Sequence, residues 1–118
     1  MFNRLVGPWQ VQGAPAAPEI TVDGLLREIE RSTVQIVDVR EPEEWNTGHI
    51  PGSVHLPMGE VASRLDELDP ERPVVTVCRI GVRSLLSADE LLLAGFSDVK
   101  SLAGGIVAWS EAGEPLER

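Results

Sequence analysis

One short segment carries the residues that could do chemistry: Cys78, Arg79, Gly81 and Arg83. Cys78 is the only cysteine of the 118-residue chain. It ends an apolar, β-branched run at residues 73–78 that is typical of a buried strand, and a helical pattern begins at residue 82. The start of a helix offers unpaired N–H groups and a positive dipole, which favour a thiolate over a thiol. The segment therefore predicts an activated, nucleophilic cysteine.

The residues after Cys78 predict an anion-binding loop. Two arginines within five positions of a cysteine serve no packing purpose, although a lone cysteine at a strand end is more often an inert core residue. The arginines can lower the pKa of the thiol and hold an oxyanion through forked hydrogen bonds. Gly81 lets the loop turn so that its N–H groups converge on one point. We predict Cys78 as the catalytic residue and assign substrate binding to Arg79, Ile80, Gly81, Val82 and Arg83.

Composition excludes several classes of function. The formal charge of −9 and the pI of about 4.6 argue against nucleic acid and anionic membranes, which need clustered lysine and arginine. One cysteine cannot form an internal disulfide or a zinc site of several thiolates, so we expect neither a metal nor a cofactor. The chain lacks a membrane-length apolar run and a signal peptide, so we expect a cytoplasmic protein.

The elements that would position Cys78 alternate between strands and helices. After a short extended entry at 19–21, we predict strands at 34–39, 54–56, 73–78 and 99–102. Predicted helices cover 22–31, 42–48, 61–68, 82–94 and 105–112. This alternation implies a parallel sheet with helices on both faces, whose ligand site lies at the carboxyl ends of the strands. Residues 1–18 have linker composition near their end and predict a flexible arm before a domain at 19–118. In the alternative, Trp9 anchors this arm onto the domain.

Other polar residues near the predicted site have supporting roles. Asp38 either accepts hydrogen bonds from the loop or from Arg83, or it caps the following helix. We expect Arg40 to pair with Glu43 or Glu44 in preference to adding to a positive rim. Ser84, directly after the loop, is assigned a supporting role. His49 lies in a turn that it is expected to tie by hydrogen bonds, without acting as a base. Packing is the expected role of Trp45 and Trp109.

Four segments, in order, resemble the signatures of the rhodanese family of sulfurtransferases: 36–45, 48–53, 78–83 and 104–109. The resemblance covers about residues 19–112. It implies a three-layer α/β/α sandwich on a five-stranded parallel sheet. It also implies that the Cys78 thiolate takes the outer sulfur of a donor such as thiosulfate as a persulfide, which a thiophilic acceptor, either cyanide or a thiol, then removes. The implied partners are a small sulfur-containing anion and a thiol or protein that accepts sulfur.

Three other functions compete with this interpretation. Cysteine phosphatases have a Cys-x5-Arg loop, but Ser84 occupies that arginine position here and Val77 precedes the cysteine. A regulatory binding module of this family often lacks the cysteine, which this chain retains. A persulfide carrier for one partner protein would use the same Cys78 chemistry with poor turnover of thiosulfate.

Overall fold

Five short strands form one parallel sheet in the computed structural model, which describes residues 17–118. The strands are β1 (Glu19–Ile20), β2 (Gln35–Asp38), β3 (Val54–His55), β4 (Val74–Val77) and β5 (Val99–Leu102). Their order is β1-β5-β4-β2-β3, and every neighbouring pair is parallel. All residues of β2 and β4 are buried, as expected for central strands covered on both faces.

Helices cover both faces of the sheet. The helices α1 (Val22–Glu30) and α4 (Gly105–Glu111) pack on one face, where Leu25, Ile106 and Trp109 join a core cluster. The helix α3 (Val82–Leu93) packs on the other face through Ala88 and Leu91. The short helix α2 (Pro42–Trp45) follows β2. The predicted three-layer α/β/α sandwich on a five-stranded parallel sheet is confirmed. None of the helices within 17–118 has the length and apolar character needed to cross a bilayer.

Most element boundaries agree with the sequence signals that predicted them. Thr21 caps α1, because its hydroxyl oxygen accepts a hydrogen bond of 3.1 Å from the Gly24 N–H. Pro42 occupies the first turn of α2, where the missing N–H costs nothing. Each predicted strand lies within two residues of its observed bounds. Capping residues and apolar runs in the sequence therefore predict the positions of the five strands and of helices α1 to α4.

The helix predicted at 61–68 is wrong. The chain forms two separate 3-10 helices there, Met58–Glu60 and Leu65–Glu67. Val61 and Leu68 are buried, which accounts for the helix-like spacing. The backbone of Arg64 leaves the helical region, with φ −125° and ψ 25°, and its guanidinium binds Glu60 and Glu67 on either side. The segment is therefore a pair of turns with inward apolar side chains.

The last two residues of the predicted arm are bound to the rest of the described structure. Ala17 is buried, and its N–H donates to a carboxylate oxygen of Asp89 at 2.7 Å. The carbonyl of Pro18 accepts a hydrogen bond of 2.9 Å from the Ser101 N–H. These two residues, which we had assigned to the arm, are bound to the sheet and α3. The rest of the predicted arm, with Trp9, lies outside the described residues.

A buried ion pair follows β2 and corrects two predictions. The side chain of Arg40 forms a fork with Asp38, with Nε–Oδ1 and Nη2–Oδ2 distances of 3.0 and 2.8 Å. Asp38 and Arg40 are only 1% and 3% exposed. Arg40 thus pairs with Asp38, not with Glu43 or Glu44, and Asp38 neither contacts the loop nor caps α2. Residues i and i+2 of an extended chain point to the same side, which explains the pairing.

The same guanidinium fixes the turn that follows α2. Arg40 Nη2 also donates to the carbonyl of Gly48 at 2.7 Å, and the carbonyl of Arg40 lies 2.7 Å from His55 Nε2. Arg40 therefore joins the end of β2 to the turn after α2 and to β3.

Replacing Arg40 with leucine is expected to lower the free energy of unfolding by about 3–5 kcal/mol, because Asp38 then stays buried without its counter-ion. Urea denaturation of both proteins measures the difference. Arg31→Leu is a matched control, since Arg31 pairs with Glu28 on the surface with a side chain 70% exposed. Equal losses for the two variants would contradict the structural role of the buried pair.

Candidate active site

The sulfur of Cys78 lies inside the loop that joins β4 to α3. Cys78 is only 1% exposed, and the Gly81 N–H points at its Sγ atom with an N–S distance of 3.1 Å. Gly81 has φ +104°, and a Cβ there would lie 3.3 Å from the Gly104 nitrogen. Glycine at this position therefore serves both the turn and the close approach of a second chain segment. The predicted loop geometry, with an N–H directed at the sulfur, is present.

Ser84 and Ser101 form a chain of hydrogen bonds that begins at the sulfur of Cys78. The Oγ atom of Ser84 lies 3.3 Å from Cys78 Sγ and 2.7 Å from the Oγ atom of Ser101 on β5. Both serines are fully buried. The thiol donates to the Ser84 oxygen. Once the thiol ionises, the Ser84 hydroxyl can donate to the thiolate while Ser101 donates to Ser84. Sequence reasoning missed Ser101, whose only signal is a polar residue within a buried strand.

The surroundings of Cys78 lower the pKa of its thiol below the ordinary value. Burial acts in the opposite direction and is the largest single influence, because it disfavours the charged form. Hydrogen bonds from the Ser84 hydroxyl and from the N–H groups of Ser84, Gly81 and Ile80 together outweigh it. These donors belong to the loop and to the first turn of α3. The direction of the pKa agrees with the sequence prediction, but hydrogen bonds lower it ahead of the arginine charges that we had invoked.

Arg83 is engaged in a bidentate ion pair and is not a free cation. Its Nη1 and Nη2 atoms lie 2.7 and 2.9 Å from the two carboxylate oxygens of Glu44 on α2. The hydrogen bond from Arg83 is the main reason that the pKa of Glu44 falls to about 2. Glu44 therefore stays ionised at neutral pH and can hold Arg83. The pair ties the start of α3 to α2, a tertiary contact that the sequence did not predict.

Arg79 differs from Arg83 in its surroundings. Its side chain is exposed and makes no hydrogen bond or ion pair within the part of the chain that the structure describes. It lines an open cleft of about 300 Å3 between α2 and α4, together with Thr47 and Val107. Of the two predicted substrate-binding arginines, Arg79 is the one with an available guanidinium.

The first turn of α4 forms hydrogen bonds with two backbone carbonyls of the loop. The N–H groups of Ile106 and Val107 donate to the carbonyls of Cys78 and Arg79 at 2.9 and 3.1 Å. Gly105, with φ +58°, allows this approach, since a Cβ there would overlap both carbonyl oxygens. The glycine at position 105 therefore seats α4 against the loop that carries Cys78.

The aromatic and histidine residues stabilise the neighbouring turn. His49 Nδ1 lies 3.1 Å from the carbonyl of Trp45, and the imidazole stacks on the Trp45 ring with centroids 3.5 Å apart. The ring of His55 also stacks on Trp45, at 4.7 Å. Trp109, on the inward side of α4, lies in the core. His49 thus ties the turn as expected, and packing is confirmed for both tryptophans.

Comparison with known proteins identifies the family. The model of the rhodanese-like domain matches residues 21–112. The chain is 41% identical over 93 residues to the thiosulfate sulfurtransferase GlpE of Shewanella oneidensis, a match that covers 79% of this chain and 92% of that protein. It is 34% identical to the putative sulfur carrier protein YrkF of Bacillus subtilis, covering 92% of this chain but 60% of that protein. The chain belongs to the rhodanese-like domain family.

Solved structures agree with this assignment. A rhodanese-related protein of Thermoplasma volcanium superposes with a TM-score of 0.77 at 28% identity, over 85% of this chain and 97% of that one. A rhodanese-like domain protein of Staphylococcus aureus gives a TM-score of 0.75 at 35% identity, over 85% and 96% of the two chains. The family resemblance drawn from four sequence signatures is confirmed.

Replacing Ser84 with alanine is expected to raise the pKa of Cys78, because the hydroxyl that donates to the thiolate is lost. A higher pKa leaves less thiolate at neutral pH, so alkylation by iodoacetamide at pH 7 should slow several-fold. The plateau rate at high pH should hardly change. Rates measured across pH give the shift directly. Arg83→Gln is the comparison and should move the profile less; a larger shift for Arg83→Gln would show that charge, not hydrogen bonding, activates the thiol.

Replacing Gly105 with alanine is expected to displace the loop, because the new methyl group overlaps the carbonyl oxygens of Cys78 and Arg79. Gly113→Ala is a matched control, since Gly113 also has a positive φ, +81°, but open space around it. The control should cost about 1–2 kcal/mol for the left-handed backbone alone. Gly105→Ala should cost about 1–3 kcal/mol more and also slow alkylation of Cys78. Urea denaturation and alkylation rates that match in the two variants would contradict this role.

Proposed function

We propose that this chain transfers sulfane sulfur through a persulfide on Cys78. The observation that carries the proposal is a buried sulfur whose pKa is lowered by hydrogen bonds from the loop and from Ser84. Such a sulfur ionises more readily than an ordinary thiol and sits where an anionic product can be stabilised by N–H groups. The relative from Shewanella oneidensis, named as a thiosulfate sulfurtransferase, supports the same assignment.

The proposed reaction has two displacements. The Cys78 thiolate attacks the outer sulfur of thiosulfate, the sulfur–sulfur bond of thiosulfate breaks, and sulfite leaves with the electron pair. The N–H groups of Ile80, Gly81 and Ser84 stabilise the resulting persulfide anion. Cyanide or a thiolate then attacks the outer sulfur, and Cys78 leaves as the thiolate. Donor and acceptor react in turn with the same sulfur, so ping-pong kinetics are expected.

The two arginines take different parts in this proposal. Arg79, with its available guanidinium beside the loop, binds the sulfonate end of the donor. Arg83 is held by Glu44 and keeps the start of α3 in position. We therefore assign donor binding to Arg79 and positioning to Arg83, and we assign the Val82 side chain no contact with the donor. No second cysteine is needed in the chain, and a reducing compartment such as the cytoplasm would keep Cys78 in its thiol form.

A second candidate function is that of a persulfide carrier. The similarity to YrkF, named as a putative sulfur carrier protein, favours this candidate, although the chain spans only 60% of that relative. A carrier would form the same Cys78 persulfide but release its sulfur only to a particular partner. Turnover with a small acceptor therefore distinguishes the two functions. A phosphatase is disfavoured by Ser84, which is buried against Cys78 Sγ at the position where the phosphatase loop requires arginine.

Incubation with thiosulfate is expected to increase the mass of the intact protein by about 32 Da, one sulfur atom, and Cys78→Ser should show no gain. Cyanide should then restore the original mass and release thiocyanate. Repeated turnover with cyanide indicates an enzyme, whereas stable loading with little turnover indicates a carrier. Wild-type protein that gains no sulfur would contradict the proposal. A gain in both proteins would show that another group carries the sulfur.

A further inference from the structure

Three large apolar side chains surround the catalytic loop and face solvent. Ile80, Val82 and Leu86 are 55%, 61% and 55% exposed. Val82 and Leu86 are one helical turn apart on the same side of α3, and Ile80 precedes them in the loop. We call these three residues the apolar rim. The apolar rim is therefore an exposed surface on the loop that carries Cys78 and on the helix that follows it.

Core packing does not require this exposure. The inward face of α3 supplies Ala88 and Leu91 to the core, and Leu85 packs against the same cluster. A small anion such as thiosulfate makes little use of three exposed aliphatic side chains. Grouped apolar residues at the surface are instead typical of a contact site for another macromolecule.

The charges beside the apolar rim are mostly acidic. Glu41 and Glu43 are exposed at α2, which Glu44 joins to Arg83, the neighbour of Val82. Glu41 acts on Arg83 strongly enough to contribute to its raised pKa, so it lies within electrostatic reach of the loop. Arg79 is the one cation of this region without a partner among residues 17–118. With a net charge of −9, the whole chain repels small anions and attracts a basic surface.

We infer that the apolar rim docks a protein that exchanges sulfur with Cys78, and that this partner presents its reactive cysteine on an apolar surface bordered by lysine and arginine. The inference rests on the proposed function, because the exchanged sulfur is the Cys78 persulfide. The partner thiolate attacks the outer sulfur, the sulfur–sulfur bond to Cys78 breaks, and Cys78 leaves as the thiolate. A new sulfur–sulfur bond forms on the partner, and no outside oxidant or reductant is required.

Synthetic peptides with one cysteine test the docking surface. The first peptide flanks its cysteine with leucine and lysine, the second with leucine and glutamate, and the third with serine and lysine. Thiosulfate-loaded protein is mixed with each at equal thiolate concentration, and the loss of about 32 Da is followed by intact mass. The first peptide should accept sulfur about tenfold faster than either of the others, and its advantage over the second should shrink in 0.5 M salt as charges are screened.

A pair of leucine variants locates the effect on the protein. Leu86→Ser should slow transfer to the first peptide about fivefold, the size expected when part of one leucine's burial is lost. Leu93→Ser is the matched control: Leu93 is 75% exposed on the same helix, about 10 Å further from the loop. The control should not slow transfer, and neither variant should change the rate with cyanide. Equal rates for all peptides, or equal losses for both variants, would overturn the inference.

Binding without chemistry separates this inference from the proposed function. A fluorescent copy of the first peptide, with serine in place of its cysteine, is titrated with unloaded protein and followed by anisotropy. Binding that weakens in Leu86→Ser but not in Leu93→Ser supports the docking surface even if thiosulfate fails to load Cys78, a result that would count only against the proposed function. Persulfide transfer to cyanide without any peptide binding would overturn the docking surface alone.

Discussion

A thiolate shielded from water must obtain its hydrogen bonds from the protein, and the architecture around Cys78 follows from that requirement. Burial alone would keep the sulfur protonated. The end of β4 places Sγ where the loop and the first turn of α3 offer N–H groups that no helical carbonyl can use. Ser84 adds a hydroxyl, which Ser101 supports from the neighbouring strand. The sulfur is thus solvated by fixed dipoles that need no reorganisation when its charge changes.

The loop can solvate the sulfur only because other elements hold it in place. The carbonyls of Cys78 and Arg79 accept hydrogen bonds from the first turn of α4. Arg83, at the end of the loop, forms an ion pair with Glu44 on α2. The position of α2 depends in turn on the buried Asp38–Arg40 pair and on the turn that Arg40 binds. Contacts of this kind form a continuous scaffold around a six-residue loop, although few of its members approach the sulfur.

Sequence patterns located the sheet, four helices and the place of Cys78 at the end of β4 because these depend on local signals. Strand composition, the Thr21 cap and Pro42 act within one element, and the position of Cys78 follows from the order of elements. The Arg83–Glu44 pair joins residues 39 positions apart, which no local pattern reveals. The helix predicted at 61–68 was wrong because the buried side chains of Val61 and Leu68, although they lie in turns, are spaced along the sequence as on one face of a helix. Asp38 was misassigned since its nearest cation, Arg40, was expected to face the glutamates.

The backbone and the side chains of the loop make different kinds of contact. Carbonyls of Cys78 and Arg79 bind α4, and N–H groups of Ile80 and Gly81 face the sulfur, so part of the polar surroundings of the sulfur comes from backbone atoms. The side chains of Ile80 and Val82 point outward and take no part in it. Substitutions at these two positions can accumulate without disturbing the reactive centre. Changes of exposed residue type at these positions can therefore alter the surface that the domain presents, while the hydrogen bonds around Cys78 are kept.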